Sequence, residues 1–175
     1  MLTRLAMVVL CVSSLCLTGC GYHTAAAVTH LPPDVSTIAV PIFQTKVVNY
    51  HTEVAFTKAV IEELTSRTNY HVISSDRSGA ADATLYGTIL SEVYTPLTYN
   101  SQTGQSSSYL ITVTAKVLLT DKDGKVLYGN SNYIFRQQYQ STQDLTSFIQ
   151  EDSPALHRMA RDFAQAVVAD ILNSF

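Results

Sequence analysis

The sequence predicts an α+β fold: a two-layer sandwich in which two helices pack on one face of a mixed, mostly antiparallel sheet of four to five strands. Residues 82–94, 109–120 and 125–139 alternate apolar and polar with a period of two, the habit of antiparallel strands with one packed and one wet face. Residues 53–68 and 153–173 instead carry apolar side chains at three- and four-residue spacing, which lines one face of a helix. Amphipathic helices and a half-wet sheet bury their apolar faces against one another.

Before the domain comes a segment of different character. Arg4 is the only charge ahead of Cys20, and residues 5–17 form an apolar run too short and wrongly flanked for a spanning helix. It ends in Leu17-Thr18-Gly19-Cys20, the pattern of a lipobox, where a thiol takes diacylglycerol and the signal peptide is cut. The expected organisation is a lipoprotein signal peptide over 1–19, a lipidated Cys20 with a tether over 20–35, and a single domain over 36–175. An ordinary secretory signal or an uncleaved anchor, with Cys20 a bystander, is the alternative. Cys11 and Cys16 fall in the discarded segment, so the domain carries no thiol nucleophile, cysteine zinc site or disulfide framework.

Removing 19 of 175 residues leaves 156, enough for one core that buries about 70% of the surface of the unfolded chain. With only Arg4 lost from 11 basic residues and all 14 acidic ones kept, the formal charge is 10 − 14 = −4, and no basic field is offered to nucleic acid. Charged residues make up 14% of the chain, against about 25% in an average domain. The resulting polar but uncharged surface suits a domain held against another protein, and equally a secreted composition rich in Ser and Thr.

In chain order, Pro32-Pro33 closes the tether, and 36–43 is a β-branched first strand with Pro41 at an edge or a ladder end. Residues 44–51 form a polar connection. Thr52 is placed to cap the first helix, Glu53 to about Thr68, whose stripe is Phe56, Val60 and Leu64, with Asn69 as its stop. A brief strand at 71–74 and a turn at 75–80 follow. The packed side of 82–94 is Ala83, Leu85, Gly87, Ile89 and Val93; that of 109–120 is Tyr109, Ile111, Val113, Ala115, Val117 and Leu119. In 125–139 it is Leu127, Tyr133 and Phe135, with Gly129 a bulge or close approach. Asp121-Lys122-Asp123-Gly124 makes a tight hairpin between these two strands. The link 96–108 is long and wholly uncharged, which reads as a loop or hairpin tip that touches a partner or has no fixed conformation. After a polar connection at 140–151, Ser153-Pro154 starts the second helix, which runs to about Asn173 with the stripe Leu156, Met159, Ala160, Phe163, Val167 and Ile171.

No catalytic constellation is visible. There is no Gly-x-Ser-x-Gly elbow and no His-Glu-x-x-His helix, and the five His lie in the tether, at element ends or on a wet helix face. His51 and Glu53 read better as a capping region than as a metal site. Asp121, Asp123 and Gly124 echo a calcium loop, but the twelfth position is Asn132 rather than Glu. The expectation is therefore a non-enzyme with no cofactor and no metal.

Cys20-Gly21-Tyr22-His23, Leu31-Pro32-Pro33, Ile38-Ala39-Val40-Pro41-Ile42-Phe43, Glu53 with Thr57-Lys58-Ala59-Val60 and Glu63-Leu64, and Ala81-Asp82-Ala83-Thr84-Leu85-Tyr86-Gly87 together resemble the lipopolysaccharide-assembly lipoprotein family LptE. The motifs appear in order over nearly the whole chain after Cys20. The resemblance implies an outer-membrane lipoprotein that faces the periplasm or sits inside a barrel lumen. There it would plug and help assemble an LptD-type β-barrel and help deliver lipopolysaccharide to the outer leaflet. Gly21 behind the lipidated Cys is similar to lipoproteins sent on to the outer membrane. Tyr94, Pro96, Tyr99 and Tyr109 are then the candidate barrel contacts. The family is thought to touch lipopolysaccharide through basic residues near strand ends; the long link has none, which leaves Lys116, Lys122, Lys125 and Arg136 as candidates. A solvated hairpin balanced by Asp121 and Asp123 competes with that role. The competing function is a stand-alone periplasmic lipoprotein that binds a peptide or glycan through its sheet edge and Tyr94, Tyr99 and Tyr109.

Overall fold

The two predicted layers are present in the computed structural model, which describes residues 34–47, 52–74, 81–99, 101, 106–140 and 154–174. Helices α1 (Thr52–Arg67) and α2 (Pro154–Asn173) cover one face of a six-stranded mixed sheet. Its strands are β1 (Thr37–Ala39), β2 (Gln44–Thr45), β3 (His71–Ile73), β4 (Ala83–Tyr99), β5 (Ser106–Asp121) and β6 (Val126–Gln140). The spatial order is β3-β1-β4-β5-β6, with β2 also on β4. Short parallel ladders join β1 to β3 and β4, and β2 to β4; long antiparallel ladders join β4, β5 and β6.

The sixth strand arises because the predicted strand 36–43 is broken at Pro41. Ala39 pairs with Thr84 and Gln44 with Thr88, so four residues on one side face three on the other. Val40 still donates its amide to the Ile73 carbonyl at 2.8 Å, but Pro41 has no amide to continue with. The chain turns Phe43 inward, and its amide finds the Thr57 hydroxyl at 2.9 Å; that hydroxyl in turn donates to the Glu53 carbonyl at 2.6 Å. The buried Phe43 amide and Thr57 hydroxyl are thereby both satisfied.

Phe43 lies flat over Gly87. A β-carbon at Gly87 would come within 2.3–2.4 Å of the Phe43 ring, so this close approach requires glycine. Phe43 then meets Phe163 of α2 edge-on at 6.1 Å, and Phe163 also touches Phe56 of α1 at 4.7 Å, Tyr133 at 5.7 Å and Phe135 at 5.5 Å. One ring thus joins both helices to strands on both sides of the sheet. Beside it the Tyr133 hydroxyl donates to Asp170 Oδ2 at 2.6 Å and shares a 2.5 Å hydrogen bond with Tyr128. Burial, followed by the Asp170 contact, pushes the Tyr133 phenol well above its usual pKa and keeps it neutral.

The far end of the sheet is closed by two aspartates. Asp82 Oδ2 accepts from the Ser36 amide at 2.9 Å, the Ser36 hydroxyl at 2.8 Å and the Thr37 amide at 2.9 Å, pinning the chain where β1 begins. Asp121 Oδ1 accepts from the amides of Asp123 at 2.9 Å and Lys125 at 2.8 Å, and Gly124 takes φ +81°, as the predicted tight hairpin demands.

Local differences have identifiable causes. α1 begins at Thr52, whose hydroxyl donates to Glu92 Oε2 at 2.8 Å, and its last turn is closed by the Thr68 hydroxyl on the Leu64 carbonyl at 2.6 Å. Gly129 is neither a bulge nor a forced close approach: it pairs with Leu118, and a β-carbon there would meet that side chain at an ordinary 3.5 Å. Two irregularities fall elsewhere in β6: residues 131–132 lie opposite Lys116 alone, because Ala115 pairs with Tyr133 while Val117 pairs with Asn130, and Leu127 is an extra residue, because Leu119 pairs with Tyr128 while Thr120 pairs with Val126. Leu127 packs against the core as expected, and Tyr128 beside it does so too, as do Tyr133 and Phe135 above the second slip. The predicted Ser153 cap and the connection at 140–151 lie outside the described residues from 141 on.

Gly87→Ala destabilises the domain by about 1–3 kcal/mol through overpacking, and most of that cost disappears in a Phe43→Ala background; urea denaturation of the four variants in the cycle checks the coupling. A second expectation concerns acid. The three hydrogen bonds from Ser36 and Thr37 hold the Asp82 carboxyl below its ordinary value of 3.8. A lowered folded pKa adds stability that is present above the unfolded value and lost as pH falls through the folded one. Asp82→Asn therefore lowers stability at pH 6, and the difference from wild type shrinks below about pH 4; denaturation curves at several pH values read this directly.

Candidate functional site

β4 outruns the helices. Its residues are buried on alternate positions up to Ile89, and every residue from Val93 to Tyr99 is exposed. β5 and β6 run with it, Ser108 pairing with Gln140, so the sheet continues as a three-stranded arm beyond the α layer. The predicted loop 96–108 is therefore mostly strand: β4 extends to Tyr99 and β5 starts at Ser106, leaving only 100–105 for the connection, of which 100 and 102–105 lie outside the described residues.

A bulge makes the change of character. Ile89 pairs with Ala115 but Ser91 pairs with Thr114, so Leu90 is an extra residue and the two faces of β4 exchange above it. Val93, expected on the packed side, is carried to the uncovered outer face and is 52% exposed. Glu92 is carried inward to the start of α1, where it accepts from the Thr52 hydroxyl at 2.8 Å and from the Tyr94 hydroxyl. A carboxylate at a helix N-terminus is favoured by the unpaired amides and the helix dipole.

The four candidate barrel contacts come together on this arm. Tyr94 pairs with Ile111, Pro96 pairs with Tyr109, and Tyr99 pairs with Ser106 close to the tip. Tyr99 is 63% exposed and Leu97 43%. The structure adds Tyr139, whose ring stacks on Tyr109 at 5.6 Å with 19° between planes. The odd-numbered run Tyr133, Phe135, Tyr139 in β6 was the signal for it. Thr98 and Ser108 close the ladder with a 2.7 Å hydroxyl contact.

The four candidate cations do not form one site. Lys122 and Lys125 sit in the β5–β6 turn, where the Lys122 amide donates to the Asp82 carbonyl at 3.0 Å. Lys116 lies six residues up β5, about 20 Å away along the strand. Arg136, opposite Thr112, is another four residues on, about 13 Å. Lys116 and Arg136 share the outer face of the sheet, which the helices leave bare. By register that face also carries Tyr86, Val93, Ile134 and a row of Thr from Thr84 to Thr120, and among the described residues no carboxylate above Asp82. Among the described residues no three His, Cys, Asp or Glu side chains gather as metal ligands, and no helix is long and apolar enough to cross a membrane.

The fold is similar to several solved proteins of low sequence identity. A Caulobacter crescentus protein described as a lipoprotein superposes with TM-score 0.51 at 13% identity, over 75% of this chain and 88% of that one. A hypothetical protein from Chlamydia trachomatis gives 0.51 at 12%, over 79% and 97%. A protein from Xanthomonas campestris gives 0.50 at 13%, over 82% and 89%. At such identities the likeness is one of fold. No curated protein matches the sequence. The family model LptE, lipopolysaccharide-assembly, matches residues 35–171, which span the sheet, both helices and the arm. This chain therefore belongs to the LptE family of lipopolysaccharide-assembly lipoproteins, a membrane-associated group.

Proposed function

We propose that the protein is an outer-membrane lipoprotein, anchored through an acylated Cys20, that plugs and helps assemble an LptD-type β-barrel and assists the delivery of lipopolysaccharide to the outer leaflet. It does so without catalysing a reaction. The observation that carries this reading is the arm: a three-stranded ribbon that leaves the helix layer, exposes Val93, Leu97 and Tyr99, and has no charged residue between Val93 and Leu110. A free ribbon of this kind leaves apolar and backbone groups to water, whereas inside a barrel lumen both are covered by partner atoms. Size is compatible: 156 residues give a radius of gyration of about 15 Å, within the lumen of a very large barrel. The bare outer face supports the glycolipid part of the reading. Lys116 and Arg136 stand there among Thr hydroxyls and aliphatic side chains, and among the described residues of the chain no carboxylate beside them competes for a phosphate.

Two outcomes test this. When the acylated chain is co-expressed with the LptD-type barrel and extracted in mild detergent, the two co-purify in equal amounts. Deleting residues 97–107 lowers the recovered barrel about tenfold while leaving the melting temperature of the lipoprotein near that of wild type. Equal recovery with the deletion contradicts the assignment of the arm. Separately, Lys116→Glu with Arg136→Glu reduces lipopolysaccharide retained on the immobilised protein, whereas Lys122→Glu with Lys125→Glu does not; equal effects from the two pairs would place the glycolipid elsewhere.

A further inference from the structure

Among the described residues, no strand pairs with the outer edge of β6, and above the bulge at 131–132 that edge is regular from 133 to 140. Which of its backbone groups point outward follows from the ladder. The Lys122 amide donates to the Asp82 carbonyl, so even-numbered residues of β5 bond to β4. The Asp121 amide donates to the Lys125 carbonyl, so odd-numbered residues of β5 bond to β6. In an antiparallel ladder the two kinds of pair alternate. With Ala115 opposite Tyr133 and Val113 opposite Phe135, the odd residues of β6 face β5, and Ile134, Arg136 and Gln138 turn their N–H and C=O groups to the open side.

The two edges of the arm are unequal. On the β4 edge the same alternation turns the Pro96 nitrogen outward, where a proline presents no donor and blocks strand addition. The β6 edge has no proline, no lysine and no bulge over 133–140. A long unguarded edge is a template for another strand.

We infer that this edge receives an extended segment of the barrel partner as an added strand, aligned on Arg136 and carrying a carboxylate beside it; the inference rests on the barrel partnership proposed above. Charge selects the occupant. Arg136 is exposed at the middle of the run, forms no ion pair among the described residues, and has Thr112 as its cross-strand neighbour. A second copy of this chain, paired antiparallel through the three outward residues Ile134, Arg136 and Gln138, would set Arg136 against Arg136, which is unfavourable for directly opposed like charges. A strand with Asp or Glu at that position gains what the second copy loses.

The test uses full-length acylated protein co-expressed with the LptD-type barrel. Gln138→Pro removes one outward donor without touching the bonds to β5, and lowers co-purified barrel about tenfold. Gln138→Ala retains it. Arg136→Glu lowers it to a similar degree, while Lys116→Glu, on the same face but away from the edge, does not. Wild-type recovery with both Gln138→Pro and Arg136→Glu overturns the inference and leaves the barrel partnership standing. Failure of the wild-type chain to hold the barrel brings down both. Concentration-dependent dimerisation of the wild type that Gln138→Pro abolishes would make the occupant a second copy, and also overturns it. If Gln138→Pro melts early, Arg136→Glu against Lys116→Glu still decides.

Discussion

The packing of Phe163 holds the two layers in register. Its ring is fully buried and meets Phe56 from α1, Phe43 from the broken first strand and Tyr133 and Phe135 from β6. Those contacts set where each element must lie. Phe43 can reach Phe163 only across Gly87, and Pro41 frees the chain to turn there. On the other flank, Tyr133 is fixed by Asp170 from the same helix, so β6 is tied to α2 by both a ring contact and a hydrogen bond. Removing the Phe163 ring would open a cavity shared by both helices and two ends of the sheet, the most costly kind of large-to-small change.

On β4 that core ends where Leu90 bulges and the arm begins, while Val113 and Ile111 of β5 stay buried a little further along. Below the bulge, alternation delivers apolar side chains to the helices. Above it the faces exchange, Glu92 is spent on the start of α1, and Val93 goes to the bare face. A single inserted residue thus separates a folding unit from a ribbon that has no layer of its own. The proposed barrel partner supplies the missing layer, and the unequal protection of the two ribbon edges gives the union a direction.

Much of this was legible in the sequence because strong periodicity marks packed faces. The stripes of both helices, Pro154 at the first position of α2, the hairpin at Asp121-Gly124 and the inward run of β5 all match the structure. The misses share one cause. Periodicity reports apolar burial, and every residue from Val93 to Tyr99 is exposed, so the strand character of β4 beyond Thr95 had no apolar alternation to announce it. The slips at Leu90, Leu127 and 131–132 are likewise silent, since a bulge changes phase without changing composition; Val93 was misassigned and the inward Tyr128 overlooked for that reason. Nor could composition tell which cations meet: Lys116 and Arg136 share a face only because two ladders align them, while Lys122 and Lys125 are set in the turn.

Hydrogen–deuterium exchange on the purified protein, alone and bound to the LptD-type barrel, decides whether the arm is the part that is covered, because backbone amides report coverage residue by residue. Strong new protection is expected in the barrel complex over 91–99, 106–114 and 133–140, with α1 and α2 nearly unchanged. Protection confined to the helices, or none on the arm, would contradict it.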